Sequence, residues 1–233
     1  MNDRQFDDFD PYAKDYVKIH NQNIKISGTT SDYFSEERVS IVKKREGKKK
    51  PAKILDFGCG NGSTEIHMTK YFSKSEIFGI DPSKTSIAVA KKRKLPNCTF
   101  SPFDGKHIPF PDKSFDLIFV AGVLHHVEFS LHSQQLREMF RVLKKGGRIY
   151  IYEHNPFNPL TKKIVNTCVF DDQAIMLKSS YLKKSLHKVG FKNVQTSFLI
   201  FFPRHKFFKP LIALEKLLSW LPIGGKYYVR ATK

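Results

Sequence analysis

The sequence predicts an α/β fold built on a mostly parallel sheet, and three observations carry that expectation. A strand-like run, Ile54-Leu55-Asp56-Phe57, passes directly into a glycine-rich turn, Gly58-Cys59-Gly60-Asn61-Gly62. Strand-like and helix-like segments then alternate through residues 51–154, the pattern of a parallel sheet with right-handed crossovers. Two further strand-like runs, Val194–Phe202 and Lys226–Thr232, follow the last clear helix. At 233 residues the chain suits one domain, long enough to bury about two-thirds or more of its unfolded surface.

Residues 1–50 read as an N-terminal extension. Aromatics punctuate it at Phe9, Tyr12, Tyr16, Tyr33 and Phe34, a helix is expected over Ser35–Arg45, and a basic linker, Gly47–Lys50, ends it. In the turn at residues 58–62, glycines let the backbone bend tightly and approach a ligand that a Cβ would obstruct. A dinucleotide fingerprint would read Gly-x-Gly-x-x-Gly, and here the third glycine falls one residue early. Asp56, just before the turn, suits a cationic ligand better than a pyrophosphate.

A second strand, Glu76–Ile80, ends in Asp81 and Pro82, and a helix follows over Ser83–Lys94. Next come Cys98–Gly105, Ile108–Asp112 and the fourth strand, Ser114–Val120, which leads into Ala121-Gly122-Val123-Leu124-His125-His126-Val127. Ser133–Lys145 places Leu136, Met139, Phe140 and Leu143 on one helical face, with Gly146-Gly147 as a stop. Arg148–His154 is the fifth strand. Residues 155–178 interrupt the alternation at the carboxyl edge of the sheet, where such insertions shape ligand pockets. Ser180–Val189 resumes the fold, capped by Gly190. Residues 206–221 space Phe207, Leu211, Leu214, Leu218 and Leu221 as one basic amphipathic helix.

Residues 54–62 resemble motif I of class I S-adenosylmethionine (SAM) methyltransferases, hydrophobic-hydrophobic-Asp-x-Gly-x-Gly-x-Gly. Later segments resemble that family's further motifs in order: an Asp before "hydrophobic-Pro-Phe", then "Ser-Phe-Asp-hydrophobic", then "Leu-His-His". The likeness is strong over residues 51–154 and looser elsewhere, and the overall pattern is similar to ubiquinone/menaquinone and other small-molecule methyltransferases. It implies a Rossmann-like, mostly parallel seven-stranded sheet with an antiparallel terminal strand and helices on both faces. It also implies SAM as cofactor and S-adenosylhomocysteine as product. By this resemblance Asp81 accepts from both ribose hydroxyls and Asp104 from the adenine amino group, while Asp116 is structural. Asp56, Gly58, Cys59, Gly60, Pro82, Gly105 and Ala121 complete the expected cofactor contacts. Residues 1–50 become a lid whose tyrosines touch the methionine end of the cofactor, or else aromatics packed on the sheet. Residues 51–233 are the methyltransferase domain.

Methyl transfer from a sulfonium is an in-line displacement, so the protein must align the acceptor and exclude water. An oxygen or nitrogen acceptor with an acidic proton also gains from a base poised near neutral pH. His125, His126 and His154 follow two strands whose carboxyl ends flank the donor, with His126 the first candidate and His154 the second. The alternative for either is a helix cap or a loop anchor. Cys59, Cys98 and Cys168 show neither metal-ligand spacing nor a disulfide framework, so no metal is expected and a reducing cytoplasm is.

The net charge of +18 is unevenly placed, with twelve Lys or Arg and one acid, Glu215, between Lys178 and Lys233. Solvated lysines, an anionic membrane surface and nucleic acid are the competing readings. Nucleic acid ranks last, because the lysines lack the interleaved aromatics of a base-stacking platform. The acidic Met1–Asp8 run is no signal peptide, and no apolar run approaches the ~20 residues of a membrane span. The expectation is therefore a cytoplasmic enzyme, peripheral at most on the inner face of a membrane, that methylates a small-molecule acceptor such as a saccharide or lipid-linked intermediate. A non-catalytic SAM-binding or membrane-associated partner protein and an RNA methyltransferase are the alternatives. Oligomeric state has no signature in the sequence.

Overall fold

The structure is a computed structural model that describes residues 10–233; the acidic Met1–Asp8 run and Phe9 lie outside the described residues. Two helices come first, α1 (Tyr16–Asn23) and α2 (Ser31–Glu46). The alternating core follows as β1 (Lys53–Phe57), α3 (Glu65–Tyr71), β2 (Glu76–Asp81), α4 (Lys84–Lys92), β3 (Cys98–Pro102) and β4 (Phe115–Ala121). Then come α5 (Phe129–Val142), β5 (Leu143–His154), α6 (Pro159–Asn166), α7 (Ser179–Val189) and β6 (Lys192–Leu199). Two short helices, α8 (Lys209–Ile212) and α9 (Glu215–Leu218), precede β7 (Lys226–Thr232).

The seven strands form one sheet in the order β3-β2-β1-β4-β5-β7-β6. β1 to β5 pair in parallel, and β7 runs antiparallel to both its neighbours, as expected from the resemblance. Burial on both faces explains the apolar runs of the central strands. Alternate residues face opposite ways. Leu55, Phe57, Ile118, Val120 and Ile149 pack under α5 and α7, against Leu136, Met139, Leu182 and Leu186. Ile54, Leu117, Phe119 and Tyr150 pack on the other side against Val39 and Val42 of α2 and Met68 of α3.

The N-terminal helices are tied to this second face. Thr30 caps α2 by accepting from Tyr33 N–H at 3.3 Å. At the other end of α2, the buried Glu46 carboxylate accepts from Arg148 and, at 2.8 Å, from the Tyr150 hydroxyl, both on β5. Arg45 Nε donates to the Tyr228 hydroxyl at 2.9 Å, and the Tyr152 hydroxyl donates to the Arg38 carbonyl at 3.1 Å. A carboxylate at 0% side-chain exposure needs such a partner, because an unpaired buried charge is costly.

Two expectations need correction. The helix expected over Ser133–Lys145 starts earlier, at Phe129, and stops at Val142. Leu143 already pairs with Phe115 in the sheet, and the register shift that follows is absorbed around Gly146, at φ 76°. Residues 206–221 are not one helix but a 3₁₀ turn (Lys206–Phe208) followed by α8 and α9, with no buried residue. Glu215 explains the break. Its Oε1 accepts from Phe201 N–H and Phe202 N–H at 2.9 and 3.1 Å and pairs with Arg204 at 2.7 Å, pinning the segment back onto the chain before it.

Candidate functional site

β1 and β4 are neighbours whose chain connections leave in opposite directions along the sheet, so a crevice opens at their carboxyl ends. A cavity of about 180 Å³ lies there, roofed by α1 and α2. Its two halves have different chemistry.

The first half is built by the glycine turn. Gly58 and Gly60 have φ of 78° and 53°, the left-handed region that a Cβ disfavours. A Cβ on Gly58 would also stand 2.4 Å from Val123 Cγ2. Gly58 and Cys59 N–H donate to the Ile80 carbonyl, which fastens the turn to the end of β2. Asp81 then receives Gly60 N–H at 2.8 Å on one carboxylate oxygen and Ser83 N–H at 2.9 Å on the other. Each oxygen keeps lone-pair capacity towards the cavity. Gly58, Cys59, Gly60, Asp81, Pro82 and Ala121 all line it.

Asp56 does not line the cavity. It is buried behind the turn beside Glu65; burial pushes Asp56 up to about 7 although a hydrogen bond with Glu65 and the charge of Arg38 pull it down, and burial with the Asp56 charge pushes Glu65 well above its ordinary range. Neither Glu65 oxygen receives a hydrogen bond from a described donor, so a proton shared with Asp56 is what satisfies the pair. Burial and these acids also push the Cys59 thiol up, which makes it a poor nucleophile. Asp104 and Gly105 lie apart from the cavity lining. Asp104 is exposed, and its Oδ1 accepts from Lys106 and His107 N–H at 2.7 Å, closing a local turn. Gly105 offers its carbonyl to Gln135.

The second half is a cluster of imidazoles and acids. His125, His126 and His154 all line the cavity, together with Tyr16, His20 and Asp171. His125 is buried with Nδ1 on the Glu153 carboxylate of β5 and Nε2 3.8 Å from Asp171. Burial disfavours its charge, but Glu153 and Asp171 outweigh that and hold it at about 10. His125 is therefore a cation at neutral pH and not a base. His126 Nε2 stands 3.3 Å from Asp171 Oδ1. Despite its burial, Asp171 is held well below the usual carboxylate range by both imidazoles. His154 is driven far below its ordinary value by burial and by Lys226 and His125, so it is neutral. His125, His126 and Asp171 bring ligand atoms within 4.8 Å of one another, a geometry open to a metal ion. The proton that Glu153 and Asp171 hold on His125 opposes that use and favours acid–base chemistry.

Two cations complete this half, Arg38 of α2 and Lys226 at the start of β7. Neither has a carboxylate ion-pair partner among the described residues. Burial lowers both, Lys226 to about 7. Sequence reasoning missed Arg38, Asp171, Lys226, His20 and Glu65. The Asp171-Asp172 pair in the interrupting segment was the one available signal, since acids rarely sit in an otherwise apolar and basic stretch without a task.

Known proteins resemble this chain in sequence and in fold. Residues 55–151 match the family described as a methyltransferase domain. An uncharacterized methyltransferase of Schizosaccharomyces pombe is 30% identical over 151 residues, 60% of this chain and 51% of that protein. A demethylmenaquinone methyltransferase of Thermotoga maritima is 38% identical over 113 residues, covering 48% of this chain and 47% of its own. The chain spans about half the length of these curated relatives. A solved structure from Thermotoga maritima, described as a SAM-dependent methyltransferase and "possible histamine N-methyltransferase", superposes with a TM-score of 0.68 at 20% identity, over 97% of this chain and 98% of its own. A phosphoethanolamine N-methyltransferase of Haemonchus contortus, solved in complex with S-adenosyl-L-methionine, gives 0.67 at 16% identity, over 97% and 60%. The alternating core, the fold and the matched segment agree: residues 55–151 match a methyltransferase domain, and the chain as a whole has the fold of solved SAM-dependent methyltransferases.

Proposed function

We propose that the chain transfers the methyl group of SAM to an oxygen or nitrogen of a small-molecule acceptor, with His126 as the base and Asp171 as its orienting partner. The observation that carries this reading is one cavity, bordered on one side by the glycine turn with Asp81 and on the other by the His126–Asp171 pair. The residues present fit the cofactor. Asp81 has oxygen lone pairs left for the ribose hydroxyls, the left-handed turn at Gly58 and Gly60 leaves no side chain in the way, and Arg38, with no carboxylate ion-pair partner among the described residues, offers a cation for a carboxylate. Bound SAM would supply an activated methyl group on a sulfonium. The Asp56 carboxylate behind the turn, at about 7, favours that cation in its ionised form.

His126 takes the acceptor's proton as the new bond to carbon forms, and Asp171 stabilises the imidazolium that results. Cationic His125, fixed by Glu153 and by Leu124 N–H donating to Glu153 at 3.0 Å, holds Asp171 ionised. His154, neutral and at the strand end, orients the acceptor. Tyr16 on α1 and Arg38 on α2 close the site from above, which gives residues 1–50 the part of a lid that excludes water.

Relatives named as demethylmenaquinone methyltransferases favour a second reading, methylation at carbon of a quinol-type acceptor. There His126 would remove the hydroxyl proton and leave the charge shared with ring carbon. Incubation with SAM labelled on its methyl group, against phenols, amines, sugars and quinols, separates these readings by the atom that carries the label. Labelled product from no acceptor class, with SAM bound, would leave a non-catalytic SAM-binding protein.

No helix among the described residues is long and apolar enough to cross a membrane. The exposed segment from Phe207 to Ile223, flanked by Lys206, Lys209 and Lys216, we assign to peripheral contact with an anionic lipid surface.

A further inference from the structure

A second cavity, of about 70 Å³, borders the first. Ile24, Phe34, Leu160, Ile164, Ile200 and Phe202 supply most of its apolar wall. His154 and Lys226 line both cavities. They are register partners across β5 and β7, so they project from the same side of the sheet and form a shared polar partition.

Three features mark this cavity as built. Its walls come from segments that the parallel sheet does not need: the α1–α2 connection, α6, and the crossover from β6 to β7. These are fastened to one another, since Asn155 Nδ2 donates to the Gly224 carbonyl at 2.7 Å and Thr161 Oγ1 to the Gly225 carbonyl at 2.9 Å. Ile200 adopts φ 61°, a region that β-branched residues avoid, and Gly225 N–H holds it there through its carbonyl at 2.8 Å. That strain turns Ile200, Phe201 and Phe202 along the cavity. Finally, the partition is not locked. His154 Nδ1 has no hydrogen-bond partner among the described residues, and Lys226 Nζ rests over the Phe34 ring, 4.2 Å from its centroid, with no carboxylate partner among them.

We propose that the acceptor is an acidic amphiphile whose apolar arm passes His154 into the second cavity while Lys226 holds its acidic group beside the methyl-transfer site. This rests on the methyltransferase reading above. Arg38 is taken by the cofactor's carboxylate there, which leaves Lys226 as the cation for the acceptor. Burial favours the neutral amine, so an anion placed against it restores the ammonium and gains a charge-assisted hydrogen bond. The apolar wall supplies affinity in proportion to the hydrocarbon it removes from water.

Sodium decanoate is the probe, titrated calorimetrically into the full chain saturated with S-adenosylhomocysteine. Acetate supplies the acid without the arm, and decanol the arm without the acid. Decanoate is expected to bind at least about tenfold more tightly than either. Ile164→Trp fills the second cavity and should weaken decanoate by about tenfold or more, with the affinity for S-adenosylhomocysteine unchanged. Leu160→Trp, one turn earlier on α6, serves if Ile164→Trp does not fold. Lys226→Met should reduce decanoate to the affinity of decanol. Equal decanoate affinity in wild type and the filled-cavity variants overturns the proposal, as does the absence of decanoate binding. If S-adenosylhomocysteine itself does not bind, the methyltransferase reading fails first and this proposal falls with it. If it binds and decanoate does not, only the amphiphilic acceptor is wrong.

Discussion

Asp81 is engaged twice by backbone N–H groups, so the fold itself aims its carboxylate. Asp81→Ala should lose two hydrogen bonds to a charged acceptor, each worth roughly 1.5–3 kcal/mol. Calorimetry with S-adenosylhomocysteine should show at least a hundredfold weaker binding, and unchanged affinity would remove Asp81 from the site. His126→Ala and Asp171→Asn should each lower turnover on an authentic acceptor by about 10²–10⁴-fold with cofactor affinity intact. Wild-type turnover in both would mean that neither takes the proton. The place of His126 on the cavity was legible because a residue just past the fourth strand must lie at the carboxyl edge of the sheet. Asp171 was not, because it reaches the cavity from an irregular stretch of 155–178 that imposes no period on its neighbours. Asp104 shows a different limit. Its spacing fits an adenine-binding acid, and its Oδ1 also closes its own turn, a local hydrogen bond that spacing does not announce.

Among the elements, α2 has the least helical sequence pattern and the firmest anchor. Its apolar residues follow no clean stripe because it meets three surfaces: sheet, cavity and solvent. What fixes it is Glu46 against Arg148 and Tyr150. Glu46→Ala would leave Arg148 buried without its carboxylate, at a cost of about 3–5 kcal/mol. The melting temperature should fall by about 10 °C, and a loss below about 2 °C would show that the pair is not structural. No sequence period announces a contact between positions so far apart in the chain. α7 stands at the other extreme: Gly190, observed at φ 109°, made its end readable. Residues 206–221 misled because their spacing is helical in isolation, whereas Glu215 spends its carboxylate on Phe201, Phe202 and Arg204. A tertiary hydrogen bond outweighed a local period.

For the molecule as a whole, charge and apolar exposure coincide. Phe207, Leu217 and Trp220 are 85, 71 and 72% exposed, on a chain of net charge +18. Apolar insertion would supply affinity, and each nearby lysine adds on the order of 1 kcal/mol at an anionic surface. The protein should co-sediment with anionic vesicles more than with neutral ones, less so as salt rises, and less again as Trp220→Ser. No pelleting at low salt would return these lysines to ordinary solvation. The parallel class of the sheet was readable because each strand of a parallel sheet carries its own apolar run and its own crossover, so the pattern repeats along the chain, whereas the order of the strands was not. The clamp at Glu46 has a further consequence for α2. One end of that helix is riveted to β5 by a buried carboxylate, while the other, with Ser31 and Ser35 over the cavity, is held by pairs nearer the surface, Asp32 with His67 at 2.8 Å and Glu37 with Arg204 at 2.9 Å. It should swing like a door on its C-terminal hinge, so amide deuterium uptake should be fast near Ser35 and slow near Val42. Bound S-adenosylhomocysteine should latch the N-terminal end and flatten that gradient, and a helix that exchanges uniformly with and without it has no hinge.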